Sequence, residues 1–137
     1  MNLKKIKEFL KDRKLNIILV VLFALLIVYG SSLPSVIPDF MKGTFLEKIA
    51  RYSIKSGIAH AAEFGILSLL LFRAFYVDNF KHAAIYAVLI AIAFGVLDEV
   101  HQLFVPGRVF DYMDMTSNAV GAIGVQFFGR FNLIFLK

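Results

Sequence analysis

Residues 82–104 read HAAIYAVLIAIAFGVLDEVHQLF, and this stretch decides the fold class. As an α-helix rising about 1.5 Å per residue, an apolar run of this length crosses the roughly 30 Å of hydrocarbon in a bilayer. Three further stretches reach a similar length, at residues 15–33, 57–77 and 115–136. We therefore predict an all-α membrane protein, built as a bundle of four transmembrane helices.

The composition of the whole chain supports this prediction. Its 137 residues are 59% hydrophobic and 18% charged, and the mean hydropathy is +0.75, which is too apolar for a soluble domain of this size. The net charge of +5 does not indicate a nucleic-acid partner, because six of the 15 basic residues lie in the first 14 positions, beside an apolar run. Because the chain has no cysteine, disulfides, thiolate metal ligands and cysteine nucleophiles are excluded. We expect residues 1–14 to form a basic cytoplasmic flank and residues 15–137 to form a single membrane domain.

The first apolar segment has a second interpretation as a cleaved signal peptide. A basic region precedes it, and Gly30, Ser31 and Ser32 are small residues of the kind found at cleavage sites. Its apolar core is long for a signal peptide, so we favour a retained helix.

The distribution of basic residues predicts the orientation, because cytoplasmic loops of membrane proteins carry the excess of Lys and Arg. With the N-terminus inside, ten of the 15 basic residues lie in the cytoplasm and five lie outside. The ten are Lys4, Lys5, Lys7, Lys11, Arg13, Lys14, Arg73, Lys81, Arg130 and Lys137; the five are Lys42, Lys48, Arg51, Lys55 and Arg108. We expect a protein of the cell membrane with both termini in the cytoplasm.

The first outer loop, residues 34–56, predicts a short helix lying in the membrane interface. Phe45, Ile49 and Tyr52 recur at i, i+4 and i+7, and basic side chains lie around them. The later connections are short turns at residues 78–79 and 106–107, so consecutive helices should be antiparallel neighbours.

Small residues repeat every four positions on two of the predicted spans. They are Gly57, Ala61 and Gly65 on the second span and Ala87, Ala91 and Gly95 on the third. Such repeats allow two helix backbones to approach closely, although small residues also fill apolar helices without a packing role. Their presence on sequential helices favours packing.

The positions of the acidic residues are the main signal of function. Glu63, Asp98 and Glu99 lie inside apolar spans, where each acid left facing lipid costs about 2.5 to 3.5 kcal/mol near the helix centre. They must be paired, protonated or directed into a wet cavity. In the predicted topology all three lie toward the outer leaflet, so we expect a site that opens outward.

Helical spacing brings further polar residues to the same depth. Asp98, Glu99, His101 and Gln102 occupy one arc of the third span, and Asp111, Asp114, Asn118 and Gly121 occupy one arc of the fourth. The two arcs can face each other. On the second span Glu63 can accept a hydrogen bond from the ring of His60, one turn away, and Arg108 can pair with a carboxylate or bind an anionic head group.

The polar residues also resemble a known family. Residues 97–108 read LDEVHQLFVPGR and are followed by Asp114, Asn118 and Gly121, while residues 31–34 read SSLP. With Lys55 and His60, this pattern resembles the VanZ-like family of small integral membrane proteins over about residues 15–124. The resemblance implies that the site residues are Ser31, Ser32, Lys55, His60, Asp98, Glu99, Gln102, Arg108, Asp114 and Asn118.

The same resemblance implies a link to the cell envelope. The founding member of the family is associated with resistance to teicoplanin, a glycopeptide antibiotic that binds cell-wall precursors. Two positions depart from the family pattern: Ala61 stands where an aromatic residue commonly follows the histidine, and Asp111 stands where a small polar residue is usual. We do not expect Asp111 to be central to the site.

Three classes of function compete. The first is a non-enzymatic protein whose outer cleft binds a membrane lipid, a lipid-linked cell-wall precursor or a glycopeptide. The second is a membrane-embedded hydrolase or transferase acting on a lipid-linked phosphate, with catalytic candidates His60, Glu63, Asp98, Glu99 and Asp114. In this case Asp98, Glu99 and Asp114 would hold Mg²⁺ or Mn²⁺, which prefer oxygen ligands. The third is a proton or cation pathway, which ranks last because the inner halves of the spans carry little besides Arg73 and Arg130.

Purely structural roles remain open for the same residues. Asp98 and Glu99 can be a structural pair held by Arg108 or Gln102, since buried polar networks also fix helix packing. Asp111 or Asp114 can cap the fourth helix. The functional interpretation therefore depends on several polar groups meeting at one depth.

Overall fold

The computed structural model of the chain is helical. It describes residues 12–33, 42–45, 57–77 and 82–135, with the backbone alone for 129–135, and its regular secondary structure over these ranges is helical. The helices are α1 (Arg13–Ser32), α2 (Gly57–Val77), α3 (Ala83–Gln102) and α4 (Tyr112–Phe135). These bounds match the predicted spans to within a few residues.

Three of the described helices, α1, α2 and α3, are long and apolar enough to cross a membrane. They expose large aliphatic side chains, such as Leu22, Leu26 and Leu89, that a soluble protein would bury. These features are those of a membrane protein. Helix α4 carries more polar residues, so its membrane crossing stays a prediction. The interfacial helix predicted for residues 34–56 also stays a prediction, because only residues 42–45 of that loop are among those described.

Local hydrogen bonds fix the ends of the helices. Asp12 caps α1, with its Oδ1 accepting from the backbone N–H groups of Lys14 at 2.8 Å and Leu15 at 3.2 Å. Asp111 does the same for α4, accepting from the N–H of Met113 at 2.8 Å. The turn between α3 and α4 contains Gly107 at φ 80°, a left-handed conformation that glycine adopts without strain. The capping alternative is thus confirmed for Asp111.

The closest helix approach is between α2 and α4. A Cβ atom placed on Gly121 would collide with the backbone of Ala61, and one on Gly65 would lie 3.3 Å from the carbonyl oxygen of Gly121. One on Gly57 would lie 2.5 Å from Ser117 Oγ. The small residues of the second span therefore do serve packing, and their partner is the fourth helix.

Side-chain hydrogen bonds add to this contact. Gln126 Nε2 donates to the backbone oxygen of Ser68 at 2.8 Å and to Ser68 Oγ at 2.9 Å. Ser68 Oγ in turn donates to the backbone oxygen of Ala122 at 3.0 Å. Phe64 and Leu67 are buried in the apolar core around this network. In α3, Ala87 and Ala91 are fully buried, which confirms that the second small-residue repeat faces the bundle. The packed pair α2 and α4 thus provides a rigid base for the polar groups at one end.

Candidate functional site

Those predicted site residues that the structure describes lie at one end of the helical bundle. Helices α1 and α3 end there, and α2 and α4 begin there. Ser32 Oγ lies 2.9 Å from His101 Nε2, which joins the ends of α1 and α3. The backbone N–H of Asp111 donates to Glu99 Oε2 at 3.0 Å, which joins α3 to the start of α4. The functional interpretation depends on polar groups that meet at one depth. In the structure they meet at this end of the bundle.

A cavity of about 180 Å³ opens among these residues. Its walls come from α1, α2, α3 and the turn that follows α3. The lining residues are Ile27, Gly30, Ser31, Ala59, His60, Glu63, Asp98, Gln102 and Arg108. We call this space the polar cavity. Glu63 is an exposed residue at its wall, whereas Asp98 and Gln102 are buried.

Asp98 is the most distinctive group of the polar cavity. Its residue is 5% exposed, and its Oδ2 accepts a hydrogen bond from Gln102 Nε2 at 3.0 Å, one helical turn later. Its other carboxylate oxygen, Oδ1, is buried and has no hydrogen-bond partner among the described residues. A buried polar atom without a partner costs about 1 to 3 kcal/mol, and more when it is charged. Such an atom calls for an explanation, and a bound ligand or ion is one that fits a cavity wall.

His60 contacts a different carboxylate from the one expected. Its Nε2 lies 3.5 Å from Asp114 Oδ2 across the α2–α4 contact, whereas the sequence had suggested Glu63 as its acceptor. The other ring nitrogen, Nδ1, is buried and has no hydrogen-bond partner among the described residues. Burial raises the pKa of Asp114, and the nearby His60 opposes this effect. His60 therefore lines the polar cavity and also reaches the start of α4.

Glu99 points away from Asp98, since consecutive helical residues differ by about 100° in direction. It is fully buried, and its Oε2 accepts a hydrogen bond from the backbone N–H of Asp111, while its Oε1 has no partner in the described part of the chain. Asn118 on α4 is 1% exposed, and neither its amide nitrogen nor its amide oxygen forms a hydrogen bond with a described residue. A Cβ on Gly95 would lie 3.1 Å from Asn118 Nδ2, so the glycine makes room for this amide.

Arg108 is positioned by the end of α1 rather than by a carboxylate. Its Nε donates to the backbone oxygen of Leu33 and its Nη2 to that of Gly30, both at the long distance of 3.5 Å. Within the described residues its guanidinium forms no direct ion pair. The expectation that Arg108 pairs with Asp98 or Glu99 is therefore not met, and its charge remains available to a ligand in the polar cavity.

The two serines at the end of α1 have different positions. Ser31 is buried and lines the polar cavity, whereas Ser32 is exposed and contacts His101. Both serines also donate to the backbone oxygen of Val28, as a helix-terminal role requires. Lys55 lies outside the described residues. Among the described residues no group of three or more His, Asp and Glu side chains is arranged to hold a metal ion.

The sequence analysis did not identify two apolar residues of the cavity wall. Ile27 and Ala59 line the polar cavity, and each lies four residues before a predicted site residue, Ser31 and Glu63 respectively. Residues at this spacing share a helix face, so the spacing could have identified both. The contact between His101 and Ser32 had no comparable signal in the sequence.

These features define a small helical membrane protein with a polar cavity at one end of its bundle. The chain belongs to the VanZ/LLP1 family, whose model matches residues 3–128, nearly the whole chain. No curated protein and no solved structure matches it. The resemblance drawn from the polar residues is thus confirmed.

Proposed function

We propose that this protein binds the polar head group of a cell-envelope lipid or lipid-linked precursor in the polar cavity. The observation that carries the proposal is the unpartnered Oδ1 of Asp98, which lies buried at the wall of a cavity of about 180 Å³. A ligand that donates a hydrogen bond to this oxygen removes its desolvation cost.

Arg108 supplies the second recognition element. Its planar guanidinium suits phosphate, which it can bind through two parallel hydrogen bonds. The two backbone carbonyls at 3.5 Å hold the side chain in place without neutralising its charge. A phosphate group is common to membrane lipids and lipid-linked cell-wall precursors, so both are candidates.

The size of the cavity favours a head group over an entire glycopeptide. Pockets for drug-sized ligands range over roughly 300 to 1,000 Å³, and the polar cavity is smaller, at about 180 Å³. A glycopeptide antibiotic is larger than a typical drug. We infer that any effect on teicoplanin susceptibility, the property implied by the VanZ-like resemblance, arises through an envelope lipid or precursor and not through capture of the drug.

The proposal assigns distinct roles to the site residues. Those that line the polar cavity bind the ligand directly: Ser31, His60, Asp98, Gln102 and Arg108. Ser32, Glu99 and Asp114 lie behind it and fix the helix ends. Asn118 also lies behind it, and its buried amide has no hydrogen-bond partner among the described residues. In the cell membrane, with both termini cytoplasmic, the polar cavity would face outward, where precursors are used.

Mass spectrometry of lipids that co-purify with the protein tests the proposal. The wild-type chain should retain a phosphate-bearing envelope lipid, and Arg108→Gln should lose most of it. Asp12→Asn is the matched control, because it also removes one charge but lies at the far end of α1 and an asparagine can keep the cap. Equal retention by wild type and Arg108→Gln would contradict the proposal.

A further inference from the structure

We propose that the head group bound in the polar cavity is zwitterionic, with a primary ammonium on Asp98 and a phosphate on Arg108, as in an ethanolamine phosphate. This inference rests on the proposed function and names the chemical class of the ligand.

The buried carboxylate of the polar cavity favours a positively charged donor. Asp98 is buried with one oxygen unpartnered, and Glu63 lines the same space from α2. A sugar hydroxyl can donate a hydrogen bond to Asp98, but it supplies no charge. In the low dielectric of a membrane protein an ammonium stabilises a carboxylate far more, because both the hydrogen bond and the charge attraction act together.

Arg108 requires the opposite charge in the same ligand. A purely cationic ligand would add nothing to the two long backbone contacts of the guanidinium. A purely anionic ligand would leave Asp98 Oδ1 without a donor among the described residues. A zwitterion satisfies both ends of the cavity, since its phosphate binds Arg108 while its ammonium binds Asp98.

The volume is consistent with a short zwitterion. One water molecule needs roughly 10 to 15 Å³ of this kind of space, so a cavity of about 180 Å³ holds about a dozen water molecules or more. An ethanolamine phosphate fits into such a space. The charges thus select the class of ligand, and the volume admits it.

The methylation state of the nitrogen offers a sharp test. A trimethylated nitrogen has no N–H, so it cannot donate a hydrogen bond to Asp98 Oδ1. The full chain, purified in a phosphate-free detergent, is titrated with dihexanoyl phosphatidylethanolamine, phosphatidylcholine and phosphatidylglycerol. Free phosphoethanolamine is a fourth ligand and distinguishes a soluble phosphate from a lipid. We expect the ethanolamine lipid to bind about tenfold or more tightly than the choline and glycerol lipids.

Variants connect this preference to the polar cavity. Asp98→Asn, close in shape to the wild type, should reduce the preference for ethanolamine to about that for choline, and Asp12→Asn should leave it unchanged. The ligand comparison on the wild-type protein stands even if Asp98→Asn fails to fold.

Each other outcome overturns the inference in a recognisable way. Equal binding of the ethanolamine and glycerol lipids would reject the ammonium and leave the proposed function intact. A preference for ethanolamine that survives in a folded Asp98→Asn would place the ammonium elsewhere. If free phosphoethanolamine bound more tightly than phosphatidylethanolamine, the ligand would be a soluble phosphate and not a lipid. If none of the four ligands binds, the inference is rejected. If no phosphate-bearing lipid co-purifies with the protein either, the proposed function is rejected as well.

Discussion

His60 Nε2 lies 3.5 Å from Asp114 Oδ2 and joins the first turn of α2 to the first turn of α4. Both side chains are largely buried, so a charge on either is costly without the other. About two helical turns further along α4, Gly121 brings the two backbones together at Ala61, the residue after His60. A polar contact and a close packing contact thus fix the same pair of helices.

We expect the His60–Asp114 contact to stabilise the fold measurably. In a double-mutant cycle with His60→Ala and Asp114→Ala, the two single changes should not add, and the coupling energy should be about 1 kcal/mol. The free energy of unfolding of the four proteins in detergent gives this value. Additivity within about 0.3 kcal/mol would show that the two side chains do not interact.

Gly121 should be far less tolerant of substitution than Gly124, although both lie on α4. Gly121→Ala forces a methyl group into the backbone of Ala61, and we expect a loss of about 1 to 3 kcal/mol in stability or a failure to fold. Gly124 has open space around it, so Gly124→Ala should be neutral or slightly stabilising, since alanine favours helix. Thermal unfolding of the two variants makes the comparison. Similar unfolding temperatures would contradict the helix contact described.

Asn118 should prove more important for function than for stability. Its buried amide has no hydrogen-bond partner, so replacing it with an apolar residue of similar size removes a desolvation cost. We therefore expect the unfolding temperature of Asn118→Leu to equal or exceed that of the wild type. Binding of the envelope lipid should decrease in the same variant. A fall in the unfolding temperature of several degrees would indicate that the amide stabilises the fold instead.

Much of this architecture follows from the sequence because it depends on length and on residue type. The apolar runs predict the helices to within a few residues, and the small residues Gly57, Ala61 and Gly65 predict a close helix contact. The acids inside apolar spans predict a polar site, since lipid does not tolerate them singly.

The rotation of each helix about its axis does not follow from the sequence. Helices that are apolar on all sides carry little information about which face meets which neighbour. For this reason the sequence suggested Glu63 as the partner of His60, whereas the structure places Asp114 there. It also offered a carboxylate or an anionic head group as the partner of Arg108. The protein contacts of Arg108 are the backbone oxygens of Gly30 and Leu33, and a backbone oxygen is present at every residue, so the sequence carries no signal for them.

The orientation of the protein can be tested because the chain contains no cysteine. A single cysteine at Lys42 should react with a membrane-impermeant thiol reagent on intact cells, and one at Lys4 should react only after the cells are opened. This expectation follows from the excess of basic residues on the N-terminal side. Labelling at position 4 but not at position 42 on intact cells would invert the topology and place the polar cavity inside.

Occupation of the polar cavity by an envelope lipid is measured most directly with a single cysteine at Ser31, which is buried and lines the cavity. The rate at which a small thiol reagent labels this cysteine is compared with and without added envelope lipid, and a cysteine at the exposed Lys42 is the control. We predict that the lipid slows labelling at position 31 severalfold, that it leaves position 42 unchanged, and that Arg108→Gln abolishes the protection. Labelling at position 31 that proceeds at the same rate with and without lipid would contradict the proposed binding site.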